Sequence, residues 1–185
     1  MKKTPAFIIA FMAICVALNY VGSNIALFLR LPIYLDTIGT MLSAVVLGPI
    51  FGMATALISG LISWMTTDIF SLYFAPVGIL VGLMAGLVLK KSEPKKARLF
   101  WKALAISFPG TILSSLITVI LFHGITSSGS SLIVQALHGF GLNLTASIIL
   151  VQIGTDYLDR LVVVFIVTLI IATLRLRLPR WRTIL

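Results

Sequence analysis

The sequence predicts an all-α integral membrane protein, a compact bundle of six transmembrane helices with both termini cytoplasmic. Three observations carry the prediction. Hydrophobic residues make up 59% of the 185-residue chain and charged residues only 10%, against roughly 25% charged in soluble domains. Mean hydropathy is +1.15, and the apolar runs are continuous, without the alternation that barrel strands require. Basic residues flank those runs in three clusters and leave no soluble domain to hold nucleic acid, so the net charge of +9 reads as membrane topology. No Ser-, Pro- or Gly-rich linker divides the chain, which is expected to be one domain over residues 1–185.

The first helix is expected over residues 5–29. It is too long for a signal peptide and lacks a small-residue cleavage site, so it reads as a retained span. The single cysteine, Cys15, lies within it, which argues against disulfides and thiolate metal sites. Ala6, Ala10, Ala13 and Ala17 form a ladder of small side chains that suits close approach of another helix, inside the bundle or on a partner.

Residues 31–68 read L-P-I-Y-L-D-T-I-G-T-M-L-S-A-V-V-L-G-P-I-F-G-M-A-T-A-L-I-S-G-L-I-S-W-M-T-T-D, with an acid near each end and Gly48-Pro49 between them. Proline forces the residue before it toward extended backbone, so two short helices are expected over 36–47 and 50–65, with Asp36 and Asp68 on one side of the membrane. A fourth helix follows over 72–89. Lys2 and Lys3 at one end, and Lys90, Lys91, Lys95, Lys96, Arg98 and Lys102 at the other, are cytoplasmic by the positive-inside rule. Four crossings between them satisfy that rule, and three would not. Gly48, Gly52, Ala56 and Gly60, then Gly78, Gly82 and Gly86, recur every fourth position and predict two smooth faces for internal packing.

A fifth helix over 103–122 leaves the cytoplasm, and a sixth over 156–174 returns to Arg175, Arg177, Arg180 and Arg182. Residues 131–154, interrupted by Gln135, His138, Gly139, Gly141, Asn143 and Gln152, are expected to form a helix, a turn and a re-entrant piece on the outer face. A complete seventh span there would place the terminal arginines outside.

The outer ends gather the candidate substrate-binding residues: Asp36, Thr40, Trp64, Asp68, Tyr73, His138, Asn143 and Asp156. Ionisable groups inside a membrane are costly, so those on an inward face are functional candidates. Simpler roles exist for several. Asp36 can cap a helix, Asp156 and Arg160 can pair at i, i+4, and Trp64 and Tyr73 can anchor the interface. No G-x-x-x-x-G-K-[ST] cradles a phosphate, so energy must come from a partner or a gradient. H-E-x-x-H is absent and His123 and His138 are the only histidines, which argues against an enzyme, a metal site and any cofactor.

The A-x-x-x-A first helix, the segment L-D-T-I-G-T-M-L-S-A-V-V-L-G-P-I-F-G at residues 35–52, the basic central loop and the basic tail together resemble the substrate-binding S components of energy-coupling-factor (ECF) transporters. The resemblance implies a six-helix protein of the prokaryotic plasma membrane that captures a vitamin or related micronutrient at its outer face. It implies partners as well: a transmembrane coupling subunit, met through the Ala6, Ala10, Ala13 and Ala17 face, and two cytoplasmic ATPases. Residues 131–154 are longer than that family's pattern leads one to expect. Acids beside aromatics point to vitamin B6, thiamine-like or nucleobase-like compounds, and a larger ligand such as cobalamin would need an open outer face. The other functional classes are a small self-sufficient secondary transporter or channel, and a membrane sensor or scaffold. Against them stand the absence of an evident inverted repeat and of a signalling domain.

Overall fold

The computed structural model describes residues 4–89 and 96–177. The basic residues Lys2, Lys3, Lys90, Lys91, Lys95, Arg180 and Arg182, and with them the expected cytoplasmic ends, lie outside the described residues. Seven α-helices follow in order among the described residues: α1 Pro5–Phe28, α2 Ile38–Val46, α3 Pro49–Thr66, α4 Ser71–Leu89, α5 Lys96–Ile117, α6 Ser130–Gly139 and α7 Leu144–Arg177. A π-helical turn, Thr118–Phe122, continues α5. Among the described residues, five helical stretches are long and apolar enough to cross a membrane: Pro5–Phe28, Pro49–Thr66, Ser71–Leu89, Arg98–Phe122 and Leu144–Leu174. The protein is a multi-pass helical membrane protein.

Local chemistry sets the helix ends. Thr4 Oγ1 accepts from the Phe7 N–H at 3.3 Å and Pro5 occupies the first turn, where a missing N–H costs nothing. Pro49 plays the same part in α3, and Gly48 turns the chain before it with φ 122°, a region open to glycine. Asp68 caps α4: its Oδ1 accepts from the Phe70 N–H at 3.2 Å and its Oδ2 from the Ser71 hydroxyl at 3.0 Å.

The expected break at Gly48-Pro49 is present, but the two helices it separates are unequal. The expected second span is a helix of 9 residues, about 13 Å long, and nearly all of it is buried. Met41, Ala44 and Val46 form the centre of the core with Val81, Ala85, Ala103, Ile106, Val163, Val164 and Val167. Outward, Ile9, Ile14, Ile50, Trp101, Phe108 and Phe165 are exposed. That inside-out distribution suits a lipid surround, where outer apolar residues need no cover.

A second difference concerns residues 131–154. Helix α6 and a turn are there, but no re-entrant piece follows. Asn143 Oδ1 accepts from the Thr145 N–H at 2.9 Å and starts a helix that runs 34 residues without a break. At about 51 Å it exceeds a hydrocarbon core of about 30 Å. Residues 144–154 are the first third of α7, because Gln152 shares a face with Asp156 and Arg160 and continues one inward polar stripe.

The two glycine faces pack against each other. A Cβ at Gly82 would lie 2.7 Å from the Gly52 carbonyl carbon and 2.8 Å from the Met53 nitrogen, so α3 and α4 touch backbone to backbone. Gly82→Leu should therefore destabilise the fold by about 1–3 kcal/mol or more, seen as a lower melting temperature and aggregation in detergent chromatography. Gly139→Ala, with nothing within 4 Å of the added carbon, should melt like the parent. Equal melting of the two variants would show that the α3–α4 contact is loose.

Candidate functional site

A cavity of about 140 Å³ opens at one end of the bundle, between the C-terminal parts of α1, α3 and α5, the start of α4 and the first half of α7. Its size suits a small ring, since an apolar cavity of about 150 Å³ takes up a benzene molecule. Polar side chains interrupt walls that are otherwise mostly apolar. From α3 come Ser59 and Ser63, from α5 Ser114, from the π-helical turn after it Thr118, and from α7 Gln152, Asp156 and Arg160. The loop between α1 and α2 contributes Tyr34, Asp36 and Thr37, and Phe70 and Phe74 supply an aromatic side. Small residues make the space. Ala56, Gly60, Ala75 and Gly78, from the same faces that close α3 on α4 at Gly52 and Gly82, line it.

The α1–α2 loop is held in place by two adjacent residues of α7. Asp159, wholly buried, accepts on Oδ1 from the Tyr34 N–H at 2.9 Å and the Leu35 N–H at 2.8 Å. Its Oδ2 receives the Arg160 guanidinium at 2.5 Å, and the same guanidinium donates to Thr37 Oγ1 and lies 3.9 Å from Asp36 Oδ1. Four successive loop residues are thus gripped, although Leu35 sits at φ 53°, which a side chain adopts only when its surroundings impose it. From the other side, Tyr34 Oη lies 3.3 Å from Ser130 Oγ at the start of α6, and the Gly129 backbone abuts the Arg30 carbonyl.

Asn19 of α1 organises the start of α2. Its Nδ2 donates to Thr40 Oγ1 at 2.8 Å and Ser59 Oγ at 3.0 Å, and its Oδ1 accepts from the Gly39 N–H at 2.7 Å and the Thr40 N–H at 3.2 Å. A side-chain oxygen thereby satisfies N–H groups that a helix N-terminus leaves unpaired. Gly39 allows the approach, since a Cβ there would fall inside contact distance of the Cys15 carbonyl oxygen. On the opposite wall Gln152 Nε2 donates to Thr118 Oγ1 at 2.7 Å, and Ser114 Oγ donates to Asp156 Oδ2 at 2.8 Å.

Of the residues expected at the site, Asp36, Thr40, Asp68 and Asp156 line the cavity. The other four lie elsewhere. Trp64 is exposed at the end of α3, and Tyr73 is exposed with its ring edge-on to Phe122 at 5.2 Å. His138 Nδ1 lies 2.9 Å from the Leu142 carbonyl oxygen in the exposed α6–α7 turn, and Asn143 caps α7. Asp156 and Arg160 do not form the i, i+4 pair, because the guanidinium turns to Asp159 and Thr37. Asn19, Ser59, Ser114, Thr118 and Gln152 join the site without having been expected there. For Ser59 and Gln152 the signal is periodic: Thr55, Ser59, Ser63 and Thr67 recur every fourth position, as do Gln152, Asp156 and Arg160. Ala6, Ala10, Ala13 and Ala17 are all exposed on the outside of α1.

Asp36 keeps 48% of its side chain accessible because it opens on the cavity, yet protein surrounds it on its other sides. That burial raises its carboxyl to about 6, against the pull of Arg160 and with the push of Asp159. An acid whose folded value is raised holds its proton longer in the folded state. The ligand-free protein should therefore lose stability as pH rises from about 4, the ordinary carboxylate value, to about 6, and then level off. Asp36→Asn should flatten that part of a melting-temperature profile; an unchanged slope would assign the retained proton to another group.

Comparison with curated proteins and comparison with solved structures give no match. A family model does. The model described as "ECF transporter, substrate-specific component" matches residues 8–172, which include every residue lining the cavity, and the chain belongs to the substrate-specific components of ECF transporters.

Proposed function

We propose that the protein is the membrane-embedded capture subunit of an ECF-type importer. It takes a vitamin or related micronutrient from the outer face of a prokaryotic plasma membrane and delivers it through an ATP-driven coupling module. The observation that carries this reading is the cavity. It opens at one end of an apolar bundle, is walled by several helices and a loop, and sets a few polar side chains among apolar ones, as a site for a small ligand should. Asp36, Thr40, Asp68 and Asp156 are its substrate-facing candidates, while Trp64, Tyr73, His138 and Asn143 serve the helix ends around it.

The energy source lies outside the chain, which has no phosphate-cradling loop. A transmembrane coupling subunit and two cytoplasmic ATPases supply it in this reading. The docking face is α1, where Ala6, Ala10, Ala13 and Ala17 are exposed in one ladder and permit close helix contact.

Mild-detergent purification from native membranes should bring down one further membrane protein and ATPase subunits. Ala10→Trp and Ala13→Trp should abolish both that association and uptake while leaving substrate affinity intact. Ser63→Phe, which fills the cavity, should do the reverse and abolish binding while preserving association. Purification of the chain alone from membranes that contain its partners would count against the capture reading.

A further inference from the structure

The charge around the cavity does not balance. Three carboxylates, Asp36, Asp68 and Asp156, line it with one cation, Arg160. That cation is already neutralised by Asp159, which is itself wholly buried and lies within hydrogen-bond distance at 2.5 Å. Asp68 has a structural partner set in the Phe70 N–H and the Ser71 hydroxyl. Asp156 does not share in any ion pair among the described residues. It is 5% exposed, Ser114 gives it a hydroxyl hydrogen bond at 2.8 Å, and the nearest formal cation is turned toward Thr37 and Asp159.

A carboxylate so deep in a lipid-surrounded bundle is costly unless something positive meets it. Arg160 attracts it from beyond ion-pair distance, and that one charge is shared with Asp159 and Asp36. Among mostly aliphatic neighbours, the remaining wall includes hydroxyl and amide groups from Ser59, Ser63, Thr118 and Gln152 and the rings of Phe70 and Phe74, whose faces attract cations. The cavity is an acidic, aromatic-sided chamber with room for about one ring.

We propose that its substrate is a small organic cation, a single-ring compound bearing one ammonium, amidinium or quaternary nitrogen, whose charge lies against Asp156 with Asp36 as the second counter-charge. The proposal rests on the capture reading of the same cavity and narrows its substrate class. Anionic micronutrients are disfavoured by the three carboxylates, and a corrin-sized ligand by the volume. Neutral rings of the same shape would leave Asp156 unpaired, and a site built for a charge discriminates strongly against an analogue that lacks it.

Thermal melting of the full chain in lipid nanodiscs tests this with matched probes: benzamidine against benzamide, pyridoxamine against pyridoxine, benzyltrimethylammonium as a third cation and nicotinate as an anion. At least one cation should raise the melting temperature by about 5 °C at saturating concentration. Its neutral or anionic counterparts should not, and Ser63→Phe should abolish the shift. Asp156→Asn, which retains an oxygen for the Ser114 hydroxyl, should weaken that cation by about 30-fold or more. If that variant does not fold, Asp36→Asn gives the same reading with a smaller loss. Stabilisation by a neutral or anionic probe alone overturns the cationic class, and if Ser63→Phe abolishes it the capture reading stands. Stabilisation by none of the three cations, or full retention of affinity in the aspartate variants, also overturns the proposal. Co-purification with a coupling module then judges capture independently.

Discussion

The Asp159 carboxylate is the interaction on which the cavity end of the molecule depends. Its two oxygens receive two backbone N–H groups from the α1–α2 loop and the guanidinium of its own neighbour, and that guanidinium reaches onward to Thr37 and Asp36. A buried ion pair contributes little net stability when its desolvation is counted. Its value here is positional. With the carboxylate and the guanidinium both satisfied, residues 34–37 have one geometry in which no buried group is left unpaired, and Leu35 is held in a left-handed conformation that it would otherwise leave.

The cavity follows from that loop and from the uneven use of small residues. At Gly52 and Gly82 the α3 and α4 backbones touch; nearer the loop, Gly60 meets Ala75 and Gly78 meets Ala56, and these small residues leave room beside that contact for the cavity they line. Helix α2 is short enough to begin inside the bundle, with Asn19 replacing the N–H partners that a longer helix would have supplied. The glycine repeats thus hold α3 against α4 along their length, and the cavity lies beside that contact.

Much of this is legible in the sequence. Composition and continuous apolar runs point to the helical membrane class, Gly48-Pro49 to the break, and the residues at 35–52 with the alanine ladder to the family. The four site residues that line the cavity are those whose position follows from helix ends facing inward. Trp64 and Tyr73 are candidates by chemistry alone, and a ring on a helix end can face outward as readily as inward. The partnering of Arg160 is hidden because i, i+1 neighbours point apart on an ideal helix; only the α1–α2 loop, 123 residues away from Arg160 at Thr37, shows why the guanidinium turns. The continuity of α7 is masked by Asn143 and Gln152, which read as interruptions until one is seen as a cap and the other as part of an inward stripe. Thr126, Ser127 and Ser128 carry no periodic signal, since loop residues reach the cavity only through tertiary placement.

Hydrogen exchange at the Tyr34 and Leu35 amides tests most directly whether the buried pair holds the loop over the cavity. The informative variant is Asp159→Leu with Arg160→Met, which removes both charges together and so avoids leaving one buried and unpaired. The account predicts slow exchange at both amides in the parent protein and fast exchange in the double variant, with α3 and α4 amides equally protected in the two. Slow exchange at Tyr34 and Leu35 in the double variant would contradict it.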